Sequence, residues 1–149
     1  MIRKTNLKRE SNFPKGFYFF VYGTLGSKFH NPCAEAFRNH VKFIGAALTK
    51  GALLKVFWYP GLIESNDGSV HGELYYSSKY HKDLLVFLDD YEGVNRGWVK
   101  DEYVRKQITV FAKSKQYQCS AYVFQQRVKH KGLYRSFRAN NKKEFVFLP

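Results

Sequence analysis

The strongest constraint on the fold is one aromatic run near the start of the chain, Phe17-Tyr18-Phe19-Phe20-Val21-Tyr22-Gly23-Thr24-Leu25. Aromatic and β-branched residues in series favour a buried strand, and the small, polar pair that follows favours a turn. Gly23 lets a ligand approach the backbone closely, and the N–H groups after such a strand can converge on an anion or an oxyanion. Taken alone, the run also fits an ordinary strand that ends in a glycine turn, and short motifs match such a pattern by chance.

The length of 149 residues predicts one domain with its own core. Two cysteines, Cys33 and Cys119, lack the spacing of a metal or redox site, and the five histidines lack ligand spacing. We therefore predict reduced thiols and no metal site, while the sequence leaves a disulfide between the two cysteines open. No apolar run is long enough to cross a membrane, and the N-terminus lacks the apolar core of a signal peptide. A cytoplasmic location is the expectation.

The formal charge of +13 is the outlier in the composition. A field of this sign attracts anionic partners, and the basic residues crowd the two ends of the chain. We predict a basic flexible arm over residues 1–16, one domain over 17–126 and a basic extension over 127–149. The charge leaves nucleic acid open as a partner, although the basic residues are not interleaved with aromatics in a stacking motif.

Local signals place two helices among several strands. Asn31-Pro32 predicts a helix from Pro32 to His40, and apolar spacing predicts a second from Lys79 to Tyr91 that ends at Gly93. Pro60-Gly61 suits a type II turn. Strands and helices do not alternate regularly, so the predicted class is α+β with a mixed sheet.

Several short motifs occur in a fixed order along the chain. They are Val21-Tyr22-Gly23-Thr24-Leu25, Tyr59-Pro60-Gly61-Leu62, Val70-His71-Gly72-Glu73-Leu74-Tyr75, Leu88-Asp89-Asp90-Tyr91-Glu92-Gly93, Tyr103-Val104-Arg105 and Ala121-Tyr122-Val123-Phe124. Together they resemble the gamma-glutamylcyclotransferase-like family, which includes the AIG2-like branch and the gamma-glutamylamine cyclotransferases. The resemblance implies a small, closed or nearly closed mixed β-barrel with helices packed outside.

Glu92 is the candidate catalytic residue. A carboxylate at a helix C-terminus meets the negative end of the dipole, and partial burial there would raise its pKa towards neutrality. An ordinary solvated glutamate before a helix-ending glycine fits the local sequence too, but the resemblance implies the general acid/base. Glu73 and Glu102 are weaker candidates, and Asp89 and Asp90 are expected to be solvated or capping.

The implied reaction is cyclisation of a small gamma-glutamyl compound to 5-oxoproline, with release of an amine or amino acid. The backbone N–H groups of Tyr22, Gly23, Thr24 and Leu25 would bind the substrate's carboxylate or the developing oxyanion. Tyr22 and Tyr103 would form walls of the pocket or hydrogen bonds to the substrate. No metal, nucleotide or covalent nucleophile is needed. The alternative is a non-catalytic binding module of the same fold, with basic termini that contact nucleic acid or another anionic partner.

Overall fold

The computed structural model describes residues 16–94, 101–125, 132, 137–139 and 142–148. These residues form nine strands and two helices. In chain order the elements are β1 (Phe17–Val21), α1 (Pro32–His40), β2 (Lys42–Lys50), β3 (Ala52–Lys55), β4 (Pro60–Ile63), β5 (Ser69–Ser77), α2 (Lys82–Tyr91), β6 (Tyr103–Ala112), β7 (Lys115–Phe124), β8 (Phe137–Ala139) and β9 (Lys142–Phe145). Neither described helix is long and apolar enough to cross a membrane.

Five strands close into a barrel in the order β1, β5, β2, β6, β7 and back to β1. Four of the five pairings are antiparallel. The fifth joins β1 and β7 in parallel, with Tyr18 opposite Cys119 and Phe19 opposite Ser120. The structure therefore confirms the predicted α+β class and the mixed barrel with flanking helices.

Alternation along β1 separates the core into two layers. Phe20 belongs to the cluster of buried apolar side chains that fills the inside of the five-stranded barrel. Phe19 and Val21 point the other way, into a cluster that includes the apolar faces of α1 and α2. The helices thus pack against the outside of the barrel beside the end of β1.

Two strand pairs extend the barrel. The β3–β4 hairpin joins β7 through a parallel contact between Leu62 and Val123. Strand β9 pairs in parallel with β5, and Phe145 at its end is 2% exposed, inside the barrel core. Part of the predicted extension over residues 127–149 therefore belongs to the domain. Burial of the Phe145 side chain stabilises this arrangement, because it removes apolar surface from water. The predicted arm over residues 1–16 lies almost wholly outside the described residues.

The predicted turn at Pro60-Gly61 is wrong. Both residues belong to β4, and the chain turns over residues 57–59, where the Val56 N–H donates to the Tyr59 carbonyl at 3.2 Å. Glycine at position 61 has a packing reason, since a Cβ there would lie 2.7 Å from the Cβ of Phe124. Nothing in the local sequence distinguishes this close approach from a turn.

Candidate active site

A cavity of about 270 Å³ lies where β1 ends, between the barrel and α2. The six residues that the sequence singled out all line it: Tyr22, Gly23, Thr24, Leu25, Glu92 and Tyr103. The walls are completed mainly by aromatic side chains and one further carboxylate, including Trp58, Tyr59, Tyr91, Glu102 and Tyr122. The fold thus brings an acidic side chain and the backbone after β1 to one hole from positions about 70 residues apart in the chain.

The end of α2 holds Glu92 in place. The Glu92 N–H donates to Leu88 at 2.9 Å, the Gly93 N–H to Asp90 at 3.1 Å and the Val94 N–H to Asp89 at 2.8 Å. Gly93 has a φ of +70°, so the helix closes in a Schellman motif, with Val94 buried beneath it. The Leu-Asp-Asp-Tyr-Glu-Gly sequence therefore sets the backbone from which the Glu92 carboxylate extends.

The environment of Glu92 favours its neutral form. Burial, together with the nearby Glu102 carboxylate, raises its pKa to about 7. Within the described residues the Glu92 carboxylate forms no hydrogen bond. Its oxygens are therefore available to a ligand in the cavity, at a pKa suited to proton transfer near neutral pH.

The loop between β1 and α1 is clamped from the helix side. The Gly26 N–H donates to Gly23 at 3.0 Å, and the Asn31 amide donates to the Thr24 carbonyl at 2.8 Å. Arg38 donates to the carbonyls of Leu25 at 3.1 Å, Gly26 at 2.6 Å and Phe29 at 2.8 Å. Two side chains around one short helix thus fix the path of the loop that lines the cavity.

Glu73 holds the same loop from the barrel side. Its carboxylate accepts the Ser27 N–H at 2.7 Å, the Ser27 hydroxyl and the Tyr75 hydroxyl at 3.0 Å. Glu73 does not line the cavity that contains Glu92, so the structure gives this weaker candidate a role in loop geometry.

The two predicted tyrosines use their hydroxyl groups within the protein. The Tyr22 hydroxyl donates to the Tyr122 carbonyl at 2.6 Å and accepts the Leu62 N–H at 3.1 Å, so it bridges β7 and β4. The Tyr103 hydroxyl donates to the Pro60 carbonyl at 2.6 Å. Burial raises the pKa of both phenols well above the usual range, which keeps them neutral. Both residues line the cavity, and their hydroxyl groups are already engaged within the protein.

The expectation that Asp89 is solvated is wrong. Asp89 is 8% exposed and accepts hydrogen bonds from Arg105 at 2.9 and 3.2 Å and from the Tyr122 hydroxyl at 2.7 Å. The signal was present in the sequence, since Asp89 lies four residues after Leu85 and therefore on the apolar face of α2. The position of Arg105 could not be inferred, because it comes from a distant strand.

The part of the chain that the structure describes contains no group of three histidine, cysteine or carboxylate side chains arranged to hold a metal ion. Cys33 is half-buried and Cys119 is buried, and both are free thiols. Burial raises the pKa of Cys33 to about 11, so this thiol beside Glu92 is uncharged at neutral pH.

Residues 19–141 match the family model described as "Gamma-glutamyl cyclotransferase, AIG2-like". The chain belongs to this family. The match confirms the family that the ordered motifs predicted. No curated protein matches the chain.

Solved structures of AIG2-like and related proteins share the fold. An AIG2-like protein from Mus musculus is 22% identical with a TM-score of 0.58, over 91% of this chain and 97% of that one. A structure described as "Gamma-glutamyl cyclotransferase" is 18% identical with a TM-score of 0.54, over 80% of this chain and 70% of that one. YkqA from Bacillus subtilis is 20% identical with a TM-score of 0.56, over 78% of this chain and 38% of that one. At these identities the likeness is one of fold.

Proposed function

We propose that this chain is a gamma-glutamyl cyclotransferase that converts a small gamma-glutamyl amine or amino-acid conjugate into 5-oxoproline and the free amine. The observation that carries the proposal is the Glu92 carboxylate, without a hydrogen-bond partner among the described residues and with a pKa of about 7, in the same cavity as Gly23, Thr24 and Leu25. Membership of the family supports the reaction class.

Glu92 acts as the general base and then as the general acid. The substrate's α-ammonium first releases one proton to water, and the neutral amine attacks the γ-carbonyl carbon. Glu92 takes a second proton from this nitrogen as the new C–N bond of the ring forms. As the tetrahedral intermediate collapses, the bond to the leaving nitrogen breaks and Glu92 returns the proton to that nitrogen. One carboxylate with a pKa near neutrality serves both steps, so a covalent enzyme intermediate is not required.

The loop after β1 supplies donors for the substrate's carboxylate or for the developing oxyanion. Asn31 holds the Thr24 carbonyl towards α1. Because a trans peptide is planar, the Leu25 N–H points in the opposite direction, away from Asn31. A backbone donor held in this way needs no reorganisation when charge develops on the substrate. Folding the substrate in a small cavity supplies the proximity of amine and carbonyl.

Measuring 5-oxoproline release tests the proposal. We expect wild type to release it from at least one member of a panel of gamma-glutamyl amines and amino acids, and Glu92→Gln to lower kcat by roughly 10²- to 10⁴-fold. Glu64→Gln is the matched control, because Glu64 is an exposed carboxylate paired with Lys106 outside the cavity.

Equal rates in wild type and Glu92→Gln on every active substrate would contradict the assignment of Glu92. If wild type binds gamma-glutamyl compounds but releases no 5-oxoproline from any of them, the chain is the non-catalytic binding module. A gel shift with nucleic acid that weakens with salt and disappears after both basic ends are trimmed would support an anionic partner.

A further inference from the structure

The cavity contains a second carboxylate, Glu102, at the start of the segment that leads into β6. The Tyr59 hydroxyl donates to its Oε1 at 2.7 Å, and among the described residues no donor reaches its Oε2. Its backbone is fixed because the Gln125 N–H donates to the Glu102 carbonyl at 2.7 Å. Glu102 is therefore held in one orientation with one oxygen left for a ligand.

The described surroundings of the two carboxylates offer no compensating cation. The charge that acts on Glu92 is that of Glu102, and Glu92 in turn acts on one thiol and five phenols around it, those of Cys33, Tyr22, Tyr59, Tyr91, Tyr103 and Tyr122. Burial raises the pKa of each of these phenols and of the thiol, so they are uncharged at neutral pH. Arg105 on the adjacent strand is already paired with Asp89.

We propose that Glu102 binds the α-ammonium group of the gamma-glutamyl substrate and presents it to Glu92. The inference rests on the proposed function and names the group that recognises one end of the substrate. A gamma-glutamyl compound carries an ammonium and a carboxylate on the same carbon. The loop donors after β1 suit the carboxylate, whereas a carboxylate held by a tyrosine suits the ammonium.

In this role Glu102 affects substrate binding more than it affects turnover. A charge-assisted hydrogen bond from the ammonium to Glu102 tightens substrate binding, but it also stabilises the protonated amine that must lose its proton before attack. We therefore expect Glu102→Gln to raise KM while leaving kcat within about threefold. Loss of the Glu102 charge also lowers the pKa of Glu92, so the acid limb of the pH profile moves to lower pH.

A pair of ligands that differ only in the α-amine tests the proposal directly. The probes are γ-glutamyl-n-propylamide and its desamino counterpart N-propylglutaramic acid, titrated by calorimetry into Glu92→Gln protein so that turnover is blocked. Adding Glu102→Gln to that background should weaken binding of the amino ligand by roughly tenfold and leave the desamino ligand unchanged. Adding Glu64→Gln instead should change neither affinity.

Equal weakening of both ligands would show that Glu102 only maintains the shape of the cavity, and it would overturn the proposal. No effect on either ligand, or failure of the amino ligand to bind, would overturn it as well. Tyr59→Phe provides a second variant, which keeps the ring but removes the donor to Glu102 and should weaken the amino ligand selectively. Release of 5-oxoproline by wild type is read separately, so failure of the proposed function is distinguishable from failure of this assignment.

Discussion

The raised pKa of Glu92 and its access to the cavity follow from its position at the end of α2. The Schellman closure at Gly93 satisfies the carbonyls of Asp89 and Asp90 at the end of α2. The Glu92 side chain lines the cavity without a hydrogen-bond partner among the described residues. Burial and the like charge of Glu102 raise its pKa to about 7. A surface glutamate one turn away would keep an ordinary acidity and could not act as a base and an acid near neutral pH.

The raised pKa of Glu92 predicts opposite effects of pH on activity and on stability. We expect kcat/KM to rise with pH through an apparent pKa near 7, because the ionised form of Glu92 in the free enzyme is the base. The unfolded pKa is about 4.5, so between pH 4.5 and 7 the folded protein keeps a proton that the unfolded chain releases. The stabilisation is complete below pH 4.5 and is lost as pH rises through 7.

Chemical denaturation of wild type and Glu92→Gln across this window measures the stability effect. Relative to the variant, wild type should lose about 3 kcal/mol of unfolding free energy between pH 4.5 and 7 and then level off. A difference between the two proteins that is independent of pH would contradict the buried, neutral carboxylate.

At the scale of elements, the β1–α1 loop is positioned by its neighbours and not by its own propensity. Arg38 on α1 binds three of its carbonyls, and Glu73 on β5 binds Ser27 from the opposite side. Contacts from two elements therefore hold the backbone donors that the proposed reaction uses.

Removing the Arg38 clamp should affect turnover more than stability. Arg38→Ala leaves three carbonyls to solvent and lets the loop move, so we expect kcat/KM to fall by roughly tenfold or more. The unfolding free energy should drop by about 1–2 kcal/mol. Steady-state kinetics and denaturant titration check this, with Lys42→Ala at an exposed position as the control. Unchanged kinetics in Arg38→Ala would show that the loop keeps its geometry without the guanidinium.

Asp89 fastens α2 to the barrel through Arg105 on β6 and Tyr122 on β7. Asp89→Ala leaves a half-buried guanidinium unpaired, and we expect a loss of about 3 kcal/mol in the unfolding free energy by urea titration. Asp83→Ala is the control at an exposed position in the first turn of the same helix and should cost less than about 1 kcal/mol. Similar losses in both variants would show that the Asp89–Arg105 pair does not anchor α2 to the barrel.

At the scale of the whole molecule, closure of the barrel depends on segments far apart in the chain. The parallel contact between β1 and β7 joins residues about 100 positions apart, and β9 adds to β5 from near the end of the chain. The two layers of the core meet at β1, which belongs to both.

The role of β9 can be tested with two apolar residues near the C-terminus. Phe145 is 2% exposed and Leu148 is 54% exposed. Phe145→Ala should lower the unfolding free energy by about 3–5 kcal/mol through the cavity that it leaves. Leu148→Ala should change it by less than about 0.5 kcal/mol. A negligible effect of Phe145→Ala would place the C-terminal segment outside the cooperative domain, as the sequence analysis proposed.

The sequence predicted correctly those helix ends that are marked by capping residues or by a helix-ending glycine. Asn31 and Pro32 predicted the start of α1, where the Asn31 side chain accepts the Ala34 N–H at 2.8 Å, and Gly93 predicted the end of α2. The start of α2 was placed at Lys79 but lies at Lys82, because β5 continues through Ser77, whose hydroxyl binds the Lys79 carbonyl. Capping and turn preferences act over a few residues, so a single sequence can reveal them.

The sequence by itself determined the strand β1, the start of α1, the end of α2 and, through the order of its motifs, the family and the barrel. Only the tertiary structure decided that Gly61 lies in a strand against Phe124, that Asp89 is paired with Arg105 and that Phe145 completes the core. It also decided that Glu92, Glu102 and the backbone of Gly23 share one cavity. Propensities are local, whereas burial, charge pairing and cavity shape depend on which distant segments the barrel brings together.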